Sequence, residues 1–247
     1  MTHPPARRPA FSLIELLVVL SILGVLVALA APALSRARGV AREAKCVANL
    51  RSLGQAHAAY TVDHKRRFPA GEDPRVGYVN LFGEAAAGVV TSANTPTAER
   101  LLNGHLGGNA GDAAVCPLDR GSTVYTQQRV ADRFGSSYLH MNSQMNRFTR
   151  RVTRNNIWSL EGFGVHDVSS PATKMALADF IVIRSLRSGE RHAWHGAQGD
   201  RLRAGMAFVD GSARVLGLKL DPATVFQSQP VRSFNQIEAF AARDPYY

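Results

Sequence analysis

The chain has 247 residues, 45% of them hydrophobic, and 29 Lys and Arg against 19 Asp and Glu give a formal net charge of +10. There is room for one membrane helix and one globular domain of roughly 180 residues. Two cysteines, Cys46 and Cys116, exclude both a disulfide framework and a zinc quartet, leaving one bridge in an oxidising compartment or two reduced buried thiols.

The first element in chain order is FSLIELLVVLSILGVLVALAAPA, residues 11–33, an apolar run with one acid, Glu15. At 1.5 Å rise per residue, about 20 apolar residues cross a bilayer core of about 30 Å, so this run is long enough to span. A carboxylate at the centre of such a helix costs on the order of 3 kcal/mol, less near its end. Glu15 lies one turn from Phe11, so it can snorkel to the headgroups, or it can be functional. Arg7, Arg8, Pro9 and Ala10 form a basic leader ending in a small residue, a pattern that a processing peptidase accepts. Cleavage after Ala10 would give Phe11 an α-ammonium one turn from Glu15, at the positive end of a helix dipole and in a low-dielectric setting.

Basic leader, small residue, then Phe11-Ser12-Leu13-Ile14-Glu15-Leu16 and an apolar helix resembles the N-terminal signal of type IV prepilins and type II secretion pseudopilins. The resemblance implies cleavage between Ala10 and Phe11 by prepilin peptidase, N-methylation of Phe11, and pairing of Glu15 with the Phe11 amine of a neighbouring subunit in a filament. It also implies an inner-membrane assembly platform as partner. Ala10 departs from the glycine most members carry before the cut. Pro32 falls where helices of this family often kink, which suits a residue that removes an internal hydrogen bond. Loss of Arg7 and Arg8 with the leader lowers the net charge by two, to +8, a balance that favours anionic lipid, acidic polysaccharide or nucleic acid.

Topology is in conflict. Arg36, Arg38, Arg42, Lys45 and Arg51 follow the apolar run, so a simple count of positive charges would hold the domain in the cytoplasm. A long following domain translocates largely regardless of charge, and the prepilin-like leader implies a cytoplasmic N-terminus with the domain in the periplasm.

From Leu34 the helix continues in amphipathic form. Val40, Ala44, Val47, Leu50, Leu53, His57 and Tyr60 recur at spacings of three and four, which predicts one helix from about Phe11 to about His64. His57 on that stripe reads as core-facing or hydrogen-bonded. Cys46-Val47-Ala48-Asn49-Leu50-Arg51-Ser52-Leu53-Gly54-Gln55, Tyr60-Thr61-Val62-Asp63 and Arg67-Phe68-Pro69 resemble words on the helix of a pseudopilin-like family of planctomycete-type bacteria.

Residues 70–114 thin into Gly, Ala, Asn and Thr, with little to bury, and read as a variable loop region. Thr95-Pro96 predicts a short helix over Ala98 to Asn103 closed by Gly104. Phe82-Gly83 suits a turn, but GEAAAG lacks the residues of a phosphate loop. Val115-Cys116-Pro117-Leu118-Asp119, Ser137-Tyr138-Leu139-His140-Met141-Asn142 and Ser170-Pro171-Ala172-Thr173-Lys174 again resemble the planctomycete-type family. Met175 to Ile183 predicts a strand. Met206 to Leu216 predicts a hairpin turning at Asp210-Gly211 through a type I′ turn.

Arg147, Arg150, Arg151 and Arg154, with Phe148 and Trp158, could form a nucleic-acid patch, but such charge runs are more often solvated loops or subunit contacts. His192, His195, Asp200 and Asp210 could gather a cation. Their spacing matches no zinc or EF-hand signature, and the pseudopilin resemblance places calcium above zinc, at Asp200 and Asp210. The tail from Phe234 to Tyr247 could cover the sheet or a partner. No nucleophile with a base and an orienting acid emerges, so the chain does not read as an enzyme.

The expected architecture is pilin-like α+β: a leader (1–10), a membrane or filament-core helix (11–33), its amphipathic continuation (34–66), and a globular domain (67–247) with an antiparallel β-sheet. A secreted or periplasmic binding protein cut at Ala28-Leu29-Ala30 before Ala31 is the rival reading, opposed by Glu15 inside the apolar run. A DNA-binding minor pilin used in uptake rests on charge alone.

Overall fold

The structure, a computed structural model, describes residues 13–69, 83, 100–107, 110–122, 129–140, 160, 164–168, 171–172, 174–182, 194–198 and 201–219. Two compact units, Met1–Ala41 and Arg42–Tyr247, are traversed by one helix, α1 (Leu13–Asp63). Leucine and alanine, with little or no side-chain entropy to lose, dominate its sequence and favour a helix. It continues through Pro32, which lacks the N–H for one internal bond. Its end is set by backbone conformation rather than glycine. Lys65 and Arg66 take φ of 55° and 58°, and the Arg66 N–H reaches back to the Thr61 carbonyl, closing the last turn as a left-handed cap does.

Five antiparallel strands form the sheet: β1 (Tyr138–His140), β2 (Met175–Asp179), β3 (Ala197–Gln198), β4 (Arg201–Phe208) and β5 (Ala213–Lys219). β2 lies between β1 and β4, β3 pairs with the start of β4, and β5 runs along β4 from Arg201↔Lys219 to Ala207↔Ala213. The hairpin forms where the sequence places it, but its turn is not type I′. Among the loop residues only Gly211 has positive φ, 84°. The Gly211 N–H bonds the Phe208 carbonyl and the Phe208 N–H bonds the Ser212 carbonyl, a three-residue loop with glycine at its left-handed position. The strand expected over Met175 to Ile183 stops at Asp179, and residues 180–182 are helical. The Phe180 N–H still bonds the Ser137 carbonyl, one step beyond the Tyr138↔Asp179 pair, and its ring stacks on Phe134 at 5.1 Å.

Short helices α2 (Asn103–Leu106), α3 (Ala110–Ala114) and α4 (Val130–Phe134) flank the sheet. α2 begins where the expected helix was to end, and Gly104 lies inside it. Nor is the 70–114 stretch free of buried residues: Leu102 and Arg100 are buried, and the Arg100 guanidinium donates to the Phe134 carbonyl. Burial holds that guanidinium down to about 10.

The core forms where α1 covers the sheet. Cys46, Asn49, Leu50, Leu53, Gly54, Ala56, His57, Tyr60 and Thr61 are its buried residues, one face at helical spacing. Val40 and Ala44 of the expected stripe are exposed and Val47 is half-buried. Each fully buried leucine contributes about 1.5–3 kcal/mol. Leu50 rests on Gly205 of β4, where a Cβ would stand 2.7 Å from the Leu50 Cδ1 and 3.2 Å from the Asp179 carboxylate. Toward the end of α1, His57 Nε2 meets His140 Nε2 of β1 at 2.9 Å, and His57 stacks on Phe68 at 5.2 Å. Two imidazoles so placed need one donor and one acceptor, so the pair is built for neutral rings. Burial holds His57 at about 4. Burial, then the neighbouring His57, holds His140 well below its ordinary value.

Two predictions follow from this interface. Gly205→Ala should cost about 1–3 kcal/mol by overpacking, and Leu50→Val should recover part of it, read as a double-mutant loss smaller than the sum of the single losses in urea unfolding. As pH falls below 6.5, unfolded histidine takes a proton that buried His57 refuses until about 4. Stability is therefore full above pH 6.5 and drains toward pH 4, by about 3 kcal/mol for His57 alone. Unfolding midpoints across that window should fall in the parent and fall less in His57→Leu. An equal slope in both would disprove this role for the pair.

Candidate functional site

Two places in the chain concentrate unusual chemistry. The first is the N-terminal unit. Leu13, Leu16, Val19, Val25 and Leu29 are spread around the circumference of α1 and all are exposed. By length and composition the helix can cross a membrane. A helix apolar all round requires lipid or other apolar helices as its surroundings. Glu15 sits in the first turn, where the helix dipole favours an anion. The Ser21 hydroxyl donates to the Leu17 carbonyl, leaving the apolar surface little interrupted. Ala10 and Phe11 lie outside the described residues.

The second place is a buried polar seam in the domain, built from α1 inward. Cys46 on α1 and Cys116 in the loop after α3 are joined by a disulfide, with Cα atoms 5.0 Å apart across a sequence separation of 70 residues. The Tyr138 hydroxyl donates to the Cys46 carbonyl, and burial raises that phenol well above its ordinary range. Asn49 donates its side-chain amide to the Asp112 and Val115 carbonyls, fixing the Cys116 loop against the helix.

Beside the disulfide lies His195, buried between two carboxylates. Its Nε2 is 3.1 Å from Asp179 Oδ2, and its Nδ1 is 3.6 Å from Glu43 Oε2. Cys116 Sγ is 4.0 Å from the same Nε2. Arg203 of β4 donates to Glu43 Oε1 at 2.8 Å and to the His195 carbonyl at 3.0 Å. Asp179 Oδ2 also accepts the Gly205 N–H.

Asp119 explains the Cys-Pro-x-Asp word. Its carboxylate accepts the N–H groups of Gly121, Val130 and Ala131 and the Ser137 hydroxyl. It thereby caps α4 from eleven residues upstream, satisfying donors that a helix start leaves open. Ser137 also accepts the Cys116 N–H, so the two words interlock.

Of the residues considered for a cation, Asp210 accepts the Ser212 N–H in the β4–β5 loop, and His195 is in the seam. His192 and Asp200 lie outside the described residues, as do Arg147, Arg150, Arg151, Arg154, Phe148, Trp158 and the tail from Phe234. Sequence reasoning did not find Asp179, Glu43, Arg203 or Asp119. Asp119 ends a word that resembles the planctomycete-type family and Asp179 lies inside the expected strand, but their partners are distant in sequence, and no local pattern names them.

Residues 6–31 match the family model described as the prokaryotic N-terminal methylation motif. No curated protein and no solved structure matches the chain. A prepilin-type methylation motif opening a long apolar helix, followed by an antiparallel sheet, supports a type IV pilin- or pseudopilin-like protein.

Proposed function

We propose that the chain is a structural subunit of a type IV pilus-like or type II secretion pseudopilus filament, anchored in the bacterial inner membrane before assembly. In this reading prepilin peptidase cuts between Ala10 and Phe11, and Phe11 is N-methylated. Apolar helices of neighbouring subunits then cover the surface that residues 13–34 leave open. The role is mechanical, with no catalytic step. The observation that carries this reading is the matched methylation motif at residues 6–31 on a helix whose apolar side chains are exposed around its circumference.

Glu15 has the central part. A carboxylate among apolar helices is stable only near a cation, and the Phe11 amine of an adjacent copy supplies one. The pairing sets how far one subunit advances along the next, while apolar contact supplies the cohesion. The N-terminus faces the cytoplasm and the domain faces the periplasm. The Cys46–Cys116 disulfide supports that side, because such bonds persist in oxidising compartments.

Mass analysis of membrane-extracted protein should find a methylated Phe11 at the N-terminus, whereas an Ala31 start would favour a secreted binding protein. Glu15→Gln should still enter the membrane but be depleted about tenfold or more from sheared assemblies, the effect of losing about 1.4 kcal/mol per joint. Equal incorporation of Glu15→Gln and parent subunits would remove the proposed joint.

A further inference from the structure

We infer that Cys46, Cys116, His195 and Asp179 form a tetrahedral binding site for a borderline-soft divalent cation of the zinc class, open only when the disulfide is reduced. One ligand atom from each of Cys46, Cys116 and His195 already lies within 4.8 Å of the others, and all three residues are buried. The fourth donor is Asp179. Its Oδ2 stands 3.1 Å from His195 Nε2, near the roughly 3.3 Å that separates two ligands of one tetrahedral ion with bonds of about 2.0–2.1 Å. Two thiolates, one imidazole and one carboxylate are a donor set that selects zinc over magnesium or calcium.

The surroundings match what a metal-binding histidine requires. Such a histidine donates its other ring N–H to a carboxylate, which fixes its orientation. Here Nδ1 faces Glu43 Oε2 at 3.6 Å, and Arg203 holds Glu43 from the other side. The Gly205 N–H holds Asp179. Among the described residues, His195 Nδ1 and Asp179 Oδ1 have no hydrogen-bond partner, although both side chains are fully buried. Such atoms are costly to leave unmade. A bound dication would draw Nδ1–H toward Glu43 and balance the Asp179 charge.

The chemistry balances simply. A dithiol reductant gives two electrons and two protons to the Cys46–Cys116 bond and becomes a disulfide itself, leaving two thiols. The cation then displaces both thiol protons to solvent, and a proton on His195 Nε2 passes to Nδ1, or leaves with them where Nδ1 already carries one. Disulfide and metal are alternative occupants of the same two sulfurs, so each links α1 to the Cys116 loop in its own redox environment.

The test uses the full-length protein in detergent, oxidised or reduced with a phosphine, desalted without oxygen and titrated with Co2+ alone. The reduced protein should take up one equivalent with the visible bands of a tetrahedral thiolate site, and Zn2+ should bleach them. The oxidised protein should give none. His195→Ala and Asp179→Asn should each weaken binding at least about tenfold, and Glu43→Gln, which keeps the side chain's shape at a part-exposed position, by about tenfold. If reduction unfolds the domain, Zn2+ should restore its circular dichroism. Three results would overturn the site: a folded reduced protein without Co2+ bands, an unfolded one that Zn2+ fails to restore, or equal affinity in the parent and Glu43→Gln.

Discussion

The seam between α1 and β4 is the constraint on which the domain depends. Reading along the helix, Cys46 meets the Cys116 loop, Leu50 lies on Gly205, Gly54 packs on Ala207, and His57 meets His140. The eleven steps from Cys46 to His57 cover roughly 16 Å, so one helix face follows the sheet for about three turns. Gly205 lets the backbones approach, having no room for a Cβ beneath Leu50, whereas a Cβ at Gly54 would make ordinary contact, 3.8 Å from the Ala207 Cβ. Close approach then buries the polar groups of the seam, and each must find its partner inside the protein.

The same helix answers to a second environment upstream. Residues 13–34 contain the apolar surface that the seam never covers, and at about 25 cal/mol per Å2 that surface is a strong drive to leave water. Burial inside one chain stabilises the domain, and burial between chains or in lipid is what remains available to the N-terminal unit. The matched methylation motif, residues 6–31, lies in this unit, so the part of the helix with its apolar side chains exposed is also the part that resembles a known assembly signal.

Much of this was legible in the sequence because it rests on local periodicity. Helix α1 extends to within about two residues of both expected ends, and Leu50, Leu53, His57 and Tyr60 fall on the face that their spacing predicts. Asp-Gly located the β4–β5 hairpin, yet the turn type was missed, since one extra loop residue lets Asp210 keep negative φ. β2 was read too long because Phe180, Ile181 and Val182 are as apolar as a strand, and nothing in their composition marks the change to helix after Asp179. The seam was less accessible still. Glu43 and Arg203 are separated by 160 residues, and each alone resembles an ordinary surface charge. Buried Asn49 was invisible for a related reason: its amide serves carbonyls of the Cys116 loop, and nothing beside it in sequence marks that need.

Apolar contact alone would leave the position of α1 on the sheet weakly determined. Slipping the helix by one turn would replace Leu50 with Cys46 or Gly54 and Leu53 with Leu50 or His57, exchanging one set of mostly apolar neighbours for another at modest cost. The polar seam does not tolerate that exchange. The slip would move Glu43 away from both Arg203 and His195, separate the His57–His140 pair, and withdraw the Cys46 carbonyl from Tyr138. Buried groups left unpaired cost about 1–3 kcal/mol each, more when charged. Leucine burial therefore provides attraction, and the histidines, carboxylates and Arg203 provide the register, with the Cys46–Cys116 link making that register covalent.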